Sequence, residues 1–303
     1  MPASPTLFVT GATGQLGRLV VDALLETVPA ESIVAGVRDP AKEAAAAIRA
    51  RGVEVRVADY AEPETLERAF AGVDRLLLIS GSELGRRVPQ HRNVIDAAKR
   101  AGVGLIAYTS ILHADTSPLS LAREHRETEA ALAEAGVPAV LLRNGWYNEV
   151  FTWRLPLALK HGVLMGAAGE GRISAAARAD YAGAAAAVLA GGDHAGRTYE
   201  LAGDGSFTLT ELAALGAEAS GRSIGYRDMA PGEFRSAALD AGVPATLADI
   251  LSDTDAGVAE GALFDEGGDL ARLIGGPTTP LRTTIAAFLH QPAAAPDGAA
   301  GHA

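Results

Sequence analysis

The fold of this chain is decided by residues 6–17, TLFVTGATGQLG. A short apolar run with a β-branched end is typical of a buried strand, and apolar residues then recur with helical spacing over 16–24. Gly11, Gly14 and Gly17 lie between the two, where a dinucleotide pyrophosphate can meet backbone N–H groups and the positive end of the helix. The stretch therefore predicts a strand, a phosphate-binding turn and a helix. A tight turn without a ligand is the alternative.

The same alternation continues along the first half of the chain. Further strand-like runs occupy residues 33–37, 53–58, 75–80, 104–110 and 138–143. We expect helices between them to begin at Asp39–Pro40 and at Glu62–Pro63, because proline suits the first helical position. Nearly continuous apolar strands separated by helices predict an α/β protein with a doubly wound parallel sheet of Rossmann type.

The pattern loosens in the second half of the chain. We predict a dinucleotide-binding Rossmann domain over residues 1–148 and a smaller C-terminal α/β subdomain over 149–290 that covers the substrate. A strand near 197–203 could rejoin the main sheet. Residues 291–303 are rich in Ala, Pro and Gly and lack periodicity, so we expect a disordered tail there.

Composition excludes several classes of protein. Lys and Arg total 26 and Asp and Glu 37, which gives a net charge of −11 and argues against binding to nucleic acid. The chain has no cysteine, so disulfides, thiolate nucleophiles and Cys-based metal sites are excluded. No apolar run is long enough to cross a bilayer, and the first basic residue is Arg18, unlike a signal peptide. We expect a cytoplasmic protein without a membrane segment or a bound metal. A homodimer is the commonest closed assembly for such a protein.

The end of the second strand predicts which dinucleotide binds. NAD sites commonly carry an acidic residue there, whereas this chain has Val37 and Arg38. A guanidinium can bind a 2′-phosphate with two hydrogen bonds, so we predict NADPH in preference to NADH. The alternative is an exposed Arg38 paired with Asp39. At the ends of later strands, Asp59 is expected to face adenine, and Ser80, Gly81 and Ser82 lie near the topological switch point where ligands bind. The alternative is that these residues only form ordinary turns.

Five segments together resemble a known family: GATGQLG at 11–17, VRDPAK at 37–42, PQHRNVIDAAKRAGV at 89–103, YTSILHADTSPL at 108–119 and LLRNGWYNE at 141–149. They are similar to the NmrA-like atypical short-chain dehydrogenases, and in particular to their bacterial type-2 NAD(P)H:quinone oxidoreductase members. The resemblance extends from the first strand to about Leu289.

The resemblance implies NADPH as cofactor and a small planar quinone as substrate, with residues 80–82 and 144–148 beside the nicotinamide. The cofactor-binding residues that it implies are Gly11, Ala12, Thr13, Gly14, Gln15, Leu16, Gly17, Arg38, Asp59, Ser80, Gly81, Ser82, Ser110, Asn144, Gly145, Trp146, Tyr147 and Asn148. Substrate contacts are expected from Trp146, Tyr147 and Phe151, although aromatic packing between subdomains is an equal alternative. Tyr147 and Asn144 are the catalytic candidates.

The chain lacks the catalytic tyrosine of most short-chain dehydrogenases, and this absence bears on which substrate it can reduce. Most short-chain dehydrogenases use a Tyr-x-x-x-Lys pair after the fifth strand, where this chain has Leu121 and His125. Reduction of a ketone leaves an alkoxide, whose conjugate acid resembles water with a pKa of about 15.7. A hydroquinone has a pKa near the tyrosine value of about 10, so its anion is more stable by roughly 8 kcal/mol. The missing tyrosine therefore favours hydride transfer to a quinone, with water supplying the proton.

Two other functions remain open from the sequence. One is a non-catalytic NADP-binding redox sensor, and the other is a reductase of a different planar electrophile, such as an aromatic dye. His113 is expected to be a structural histidine beside Asp115. His125 and the glutamates around it are expected to face water, because their spacing does not match a zinc motif.

Overall fold

The computed structural model describes residues 4–290, so the predicted disordered tail at 291–303 lies outside the described residues. The strands are β1 (Leu7–Val9), β2 (Ile33–Val37), β3 (Glu54–Val57), β4 (Arg75–Leu78), β5 (Leu105–Ile111), β6 (Ala139–Asn144), β7 (Val163–Gly166), β8 (Thr198–Leu201) and β9 (Gly225–Asp228).

The helices of the first half are α1 (Gln15–Leu25), α2 (Glu43–Arg49), α3 (Pro63–Ala69), α4 (Arg87–Ala101) and α5 (Ala122–Ala135). Those that follow are α6 (Asn148–Thr152), α7 (Leu155–His161), α8 (Arg178–Ala190), α9 (Leu209–Ser220), α10 (Pro231–Asp240), α11 (Ala245–Ala259), α12 (Asp269–Ile274) and α13 (Leu281–His290).

The main sheet is parallel throughout and confirms the doubly wound prediction. Its order is β3-β2-β1-β4-β5-β6-β8, so the chain reverses direction across the sheet between β1 and β4. Phe8 of β1 pairs with Val34 of β2 on one side and with Leu76 of β4 on the other. Because the loops after these strands diverge at such a reversal, a crevice opens at the carboxyl ends of β1 and β4.

Apolar burial on both faces holds the sheet in place. On one face α1 and α8 share a core with the strands, and Val20 and Ala185 are both buried in it. Small alanine side chains let α8 lie close to its neighbours. On the other face α3, α4 and α5 cover the sheet, with Phe70 packed edge-on against Phe8 at 5.0 Å between ring centroids. Both faces of the sheet are therefore covered, as the apolar strands predict.

Helix boundaries agree with the sequence in most places and differ in one. Pro63 is the first residue of α3, as predicted, and α5 ends at Gly136 with a left-handed φ of 70°. The prediction that a helix begins at Asp39–Pro40 is wrong, since α2 starts at Glu43. The Asp39 carboxylate accepts a hydrogen bond from the backbone N–H of Ala41 and closes a turn instead.

The second half of the chain divides between the main sheet and a second core. As anticipated, the strand near 197–203 rejoins the main sheet, where β8 pairs with β6. The remaining elements, with the two-stranded parallel sheet β7-β9, build a separate core that contains Phe207 and Val258. The buried ion pair of Arg154 and Asp255 lies within this unit. Because α6 follows directly from the carboxyl end of β6, the second unit begins beside the crevice.

Two carboxylate contacts tie the segment before α13 to the main domain. Asp180 accepts hydrogen bonds from the backbone N–H and the hydroxyl of Thr279, at 2.8 and 2.9 Å. Asp204 accepts one from the backbone N–H of Thr278 at 2.7 Å. In residues 4–290 no helix is both long enough and apolar enough to span a bilayer.

Candidate active site

A cleft of about 420 Å³ opens at the carboxyl ends of β1 and β4, beside the glycine loop. The backbone N–H of Gly14 donates to the carbonyl of Gly11 at 2.9 Å, which closes the turn. A Cβ on Gly17 would lie only 2.3 Å from the Gly11 carbonyl oxygen, so glycine lets α1 approach the loop closely. The predicted residues that line this cleft are Gly11, Thr13, Gly14, Gln15, Leu16, Gly17, Arg38, Asp59, Ser80, Gly81 and Ser82.

One residue of the loop lies behind it. Ala12 is fully buried and its backbone N–H donates to the carbonyl of Gly36 at 3.0 Å. Its role is to join the loop to β2, because its N–H is already used and its methyl group points into the core. The structure therefore does not place Ala12 in the cleft among the other predicted cofactor residues.

Two cations stand at the wall of the cleft where β2 ends. The Arg38 side chain is 74% exposed and lies 3.6 Å from Glu83, so its ion pair is with Glu83 and not with Asp39. An exposed pair of this kind contributes little free energy, which leaves the guanidinium able to bind a phosphate. Lys42 lines the same wall and was not predicted as a site residue. The signal for it was present, since Lys42 follows Arg38 in the same loop.

Buried polar side chains hold the loop that follows β4. The backbone N–H of Gly81 donates to Nε2 of His91 at 2.9 Å, and its carbonyl accepts from Nε of Arg87 at 2.7 Å. Arg87 is itself buried and pairs with Glu124 at 3.0 Å. Sequence reasoning missed all three side chains, because the packing of α4 and α5 against the loop brings them there.

The state of His91 follows from its hydrogen bonds. Nε2 accepts from Gly81, so the proton lies on Nδ1, which donates to the hydroxyl of Thr128 at 3.0 Å. Burial, with a smaller effect from the Arg87 charge, lowers the pKa of His91 to about 3. His91 therefore stays neutral at physiological pH and acts as a fixed hydrogen-bonding partner of the loop.

A second, smaller cavity of about 50 Å³ lies at the carboxyl ends of β5 and β6. Predicted residues supply half of its lining, namely Ser110, Asn144, Gly145, Trp146 and Tyr147. The other lining residues are Arg87, Ile111, Leu121, His125 and Val150. Most of this surface is apolar. The predicted residues thus separate into a polar cleft for a dinucleotide and an apolar cavity beside it.

Arg178 connects the two spaces. It lines the larger cleft, and its guanidinium carbon lies 4.5 Å from the ring centroid of Tyr147, which lines the smaller cavity. Burial raises the pKa of the Tyr147 phenol to about 12, while the Arg178 charge and a hydrogen bond with Asn144 act in the opposite direction. The place of Arg178 beside Tyr147 could not be read from the sequence, because 31 positions separate the two residues.

Two predicted residues lie apart from both spaces. Phe151 is 2% exposed and packs edge-on against Phe207 at 5.3 Å in the second core. Asn148 is buried, and its side-chain N–H groups donate to the carbonyl of Thr279 and the hydroxyl of Thr284. Because α6 turns toward the second core directly after Tyr147, neither side chain lines the cleft or the cavity.

The hydroxyl of Ser110 is already engaged. It donates to a carboxylate oxygen of Glu129 at 2.5 Å, and Glu129 pairs with Arg143 at 2.9 Å. His113 is structural, as expected, but its Nε2 lies 3.1 Å from the carbonyl of Phe264, while Asp115 pairs with Arg143. These hydrogen bonds and ion pairs, formed by side chains around the cavity, hold β5, β6 and the loop after β5 together.

The expectation that His125 and its neighbouring glutamates face water is wrong for most of them. His125 and Glu124 are both buried, and Glu129 is almost so, while Glu127 is exposed. The physical reason is that Arg87 and Arg143 are buried beside α5 and supply the cations that these carboxylates need. No group of three or more His, Asp or Glu side chains within residues 4–290 is arranged to hold a metal ion.

The cleft fits a phosphorylated dinucleotide. The close approach at Gly17 leaves the first turn of α1 open to a pyrophosphate, and Arg38, Lys42 and Arg178 supply positive charge along the wall. Ser80 lines the cleft with a buried hydroxyl that finds no hydrogen-bond partner among residues 4–290. A buried hydroxyl without a partner is costly, so this atom is suited to a ligand.

Comparison with known proteins gives a consistent result. A sequence profile of the NmrA-like family matches residues 3–237. The chain is 54% identical over 277 residues to Quinone oxidoreductase 2 of Escherichia coli K12, covering 91% of this chain and 96% of that one.

Two solved structures are also similar. One is the Escherichia coli NADPH-dependent quinone oxidoreductase in complex with NADPH, at 52% identity and a TM-score of 0.91, covering 94% of this chain and 100% of that one. The other is the triphenylmethane reductase of Citrobacter sp., at 38% identity and a TM-score of 0.89 with the same two coverages.

Proposed function

This chain belongs to the NmrA-like family, and we propose that it is an NADPH-dependent oxidoreductase that transfers a hydride to quinones and forms hydroquinones. The Escherichia coli relatives act as quinone oxidoreductases, and one of them was solved with NADPH. The observation in this chain that carries the proposal is the junction at Arg178 and Tyr147, where a polar dinucleotide cleft meets an apolar cavity.

Different residues of the cleft would hold different parts of the cofactor. The glycine loop and the first turn of α1 would hold the pyrophosphate, with Gly17 keeping the helix close. Arg38 and Lys42 would hold the 2′-phosphate, and Arg38 stands where NAD sites commonly carry an acidic residue that would repel it. We propose on this basis that NADPH is preferred over NADH. When bound, the cofactor supplies the hydride.

Proton supply in the second cavity favours a quinone over a ketone. Tyr147 has a pKa of about 12, above the value of about 10 for a hydroquinone, so proton transfer from Tyr147 to a hydroquinone anion is uphill. The Ser110 hydroxyl is bound to Glu129. A hydroquinone anion needs no such donor, because its pKa of about 10 lies above neutral pH and it takes up a proton from the bulk solution, whereas an alkoxide needs a donor. We therefore assign Tyr147 and Asn144 the task of orienting the substrate.

The substrate is expected to lie against Trp146 and Tyr147, the two aromatic residues that line the cavity. Flat apolar rings favour stacking with a planar quinone. We propose that residues 149–290, apart from α8 and β8, form the cover over this site. We also propose a homodimer, which sedimentation of the purified protein would test.

The test is steady-state oxidation of NADPH and of NADH with a naphthoquinone, a ketone and a cationic dye as separate acceptors. We expect rapid turnover with the quinone and little with the ketone. Arg38→Ala should raise the KM for NADPH at least about tenfold and change NADH little, because a charge-assisted phosphate contact is lost. Arg92→Ala is the control, since this exposed arginine pairs with Glu134 outside the cleft.

Two outcomes would reject the proposal. NADPH binding without turnover on any acceptor would indicate the redox sensor. Faster turnover with the dye than with the quinone would indicate a reductase of another planar electrophile.

A further inference from the structure

His125 lies at the wall of the second cavity without a role in the function proposed so far. It is 5% exposed and sits on α5, one helical turn after Leu121, and both side chains line the cavity. Its ring is tilted against the ring of Tyr108 on β5, with 5.9 Å between centroids. The imidazole is therefore fixed in place by the sheet on one side and faces the cavity on the other.

The contact with Tyr108 sets the tautomer of His125. The Tyr108 oxygen lies 2.8 Å from Nδ1 of His125, and both groups are buried. Burial raises the pKa of Tyr108, so the phenol keeps its proton. A buried phenol O–H needs an acceptor, and since the Thr128 hydroxyl that also contacts this phenol already accepts from His91, Nδ1 is left to provide it. Nδ1 therefore carries no proton, and the proton of the neutral imidazole lies on Nε2.

The Nε2–H group is directed at the cavity. Nε2 forms no hydrogen bond with any residue in 4–290. The atom is nevertheless not enclosed by protein, so it borders open space. Asn144 also lines the cavity, and its Oδ1 is buried without a partner in the same part of the chain. Because Oδ1 of Asn144 is enclosed, the group that the cavity offers to a ligand oxygen is the Nε2–H of His125.

We infer that His125 is a catalytic residue whose Nε2–H donates a hydrogen bond to a carbonyl oxygen of the quinone, an inference that rests on the proposed function. The cavity of about 50 Å³ is several times the space of about 10–15 Å³ that one ordered water needs, so it can admit a quinone oxygen and the ring edge that carries it. Tyr108 is the positioning residue that keeps the donor nitrogen on this side.

The hydrogen bond acts on the charge that develops during reduction. Addition of a hydride, with oxidation of NADPH to NADP⁺, places a pair of electrons on the quinone and leaves one oxygen as an anion. A donor aimed at that oxygen stabilises the anion more than the neutral quinone, which lowers the barrier. His125 keeps its proton. The anion takes up a proton from the solution, so quinone, NADPH and one proton give hydroquinone and NADP⁺, and atoms and electrons balance.

The first test reads the tautomer directly in the folded protein. Histidine labelled with ¹⁵N would be observed by NMR at neutral pH in the complex with NADP⁺, with His125→Gln identifying the signal among the seven histidines. We expect the Nε2–H form, and a shift of Nε2 when a naphthoquinone is added, since NADP⁺ cannot reduce it. An Nδ1–H form, or an Nε2 signal whose chemical shift does not change when the quinone is added, would overturn the inference.

The second test compares variants in turnover. His125→Phe should lower kcat/KM for the quinone about a hundredfold, the usual loss when one donor to an oxyanion is removed, and leave the Kd for NADPH unchanged. His125→Gln retains an N–H donor and should recover most of that loss. His194→Gln is the control, because His194 precedes β8 and bonds Tyr199 near the amino end of that strand, whereas the cavity lies at the carboxyl ends of β5 and β6.

The outcomes separate the two proposals. A native protein that does not oxidise NADPH with any quinone contradicts the proposed function. A native protein that does so, with His125→Phe equally active, contradicts the role of His125 alone. If His125→Phe does not fold, the response of Nε2 to the quinone in the native protein decides.

Discussion

The guanidinium of Arg178 lies 4.5 Å from the ring centroid of Tyr147, although 31 positions separate the two residues in the chain. The backbone explains the approach, because Ala176 pairs with Tyr147 in an isolated parallel bridge and its carbonyl accepts from the N–H of Asn148 at 2.8 Å. The start of α8 is thereby held over the loop after β6. One cation consequently faces both the dinucleotide cleft and the cavity.

Replacing Arg178 should affect both ligands. Arg178→Ala removes positive charge from the cleft and a cation–π contact of about 1 kcal/mol from Tyr147. We expect the Kd for NADPH, measured by fluorescence, to rise about tenfold and the KM for the quinone to rise with it. Arg172→Ala is the control, since Arg172 bonds Ser206 in the same segment and lines neither space. A normal Kd in Arg178→Ala would show that the cation does not reach the cofactor.

Gly17 should be essential for cofactor binding. In Gly17→Ala the new Cβ would lie 2.3 Å from the Gly11 carbonyl oxygen and 2.8 Å from the Cα of Ala12, so the loop must move away from α1. We expect NADPH affinity to fall at least about tenfold by calorimetry. Gly232→Ala is a matched control in the first turn of α10, where nothing lies within 4 Å of a new Cβ. Equal affinity in Gly17→Ala would contradict pyrophosphate binding at this turn.

The two tryptophans should differ in their effect on the quinone. Trp146 lines the second cavity, whereas Trp153 is 39% exposed and lines neither space. Trp146→Ala should raise the KM for a naphthoquinone about tenfold with little change for NADPH, because a stacking surface is lost. Trp153→Ala should leave both constants unchanged. Equal effects from the two variants would argue against Trp146 as a platform.

The phenol of Tyr147 should not supply the proton. With its pKa near 12, it stays protonated throughout the working range and is a weaker acid than a hydroquinone. Tyr147→Phe keeps the ring beneath Arg178, so we expect kcat to fall less than about fivefold and its pH profile to stay flat from pH 6 to 9. A loss of more than about a hundredfold would identify Tyr147 as the acid.

His91 should make the protein sensitive to acid. Its pKa is about 3 when folded and about 6.5 when unfolded, so below pH 6.5 only the unfolded chain takes up the proton. Stability is therefore fully present above pH 6.5 and is lost progressively as pH falls toward 3. We expect a contribution of about 2 kcal/mol to be lost between pH 7 and pH 5.

Urea unfolding at the two pH values would measure this loss. His91→Gln can still accept from Gly81 but carries no titrating group, so its stability should depend less on pH. His290→Gln, at the exposed end of α13, should behave as the native protein. The same pH dependence in native protein and His91→Gln would show that other groups cause the acid sensitivity.

Predictability differed between kinds of residue. The strands and the start of α3 at Pro63 follow from patterns a few residues long, and they are found where expected. The helix start predicted at Asp39 is not found, because an Asp side chain can close a turn as readily as it caps a helix. Phe151 looked like a substrate contact from its place beside Tyr147, yet one helical turn directs it into the second core.

The amino-acid sequence by itself determined the doubly wound sheet, the glycine loop and the cation in place of an acid after β2. These depend on neighbours in the chain, whose spacing and side-chain chemistry can be read directly. Tertiary structure alone decided that Arg178 lies over Tyr147, that His91 and Arg87 hold Gly81, and that His125 faces the cavity. Burial removes water from polar groups, so each must find its partner in the folded chain, and that partner is set by how helices and strands pack.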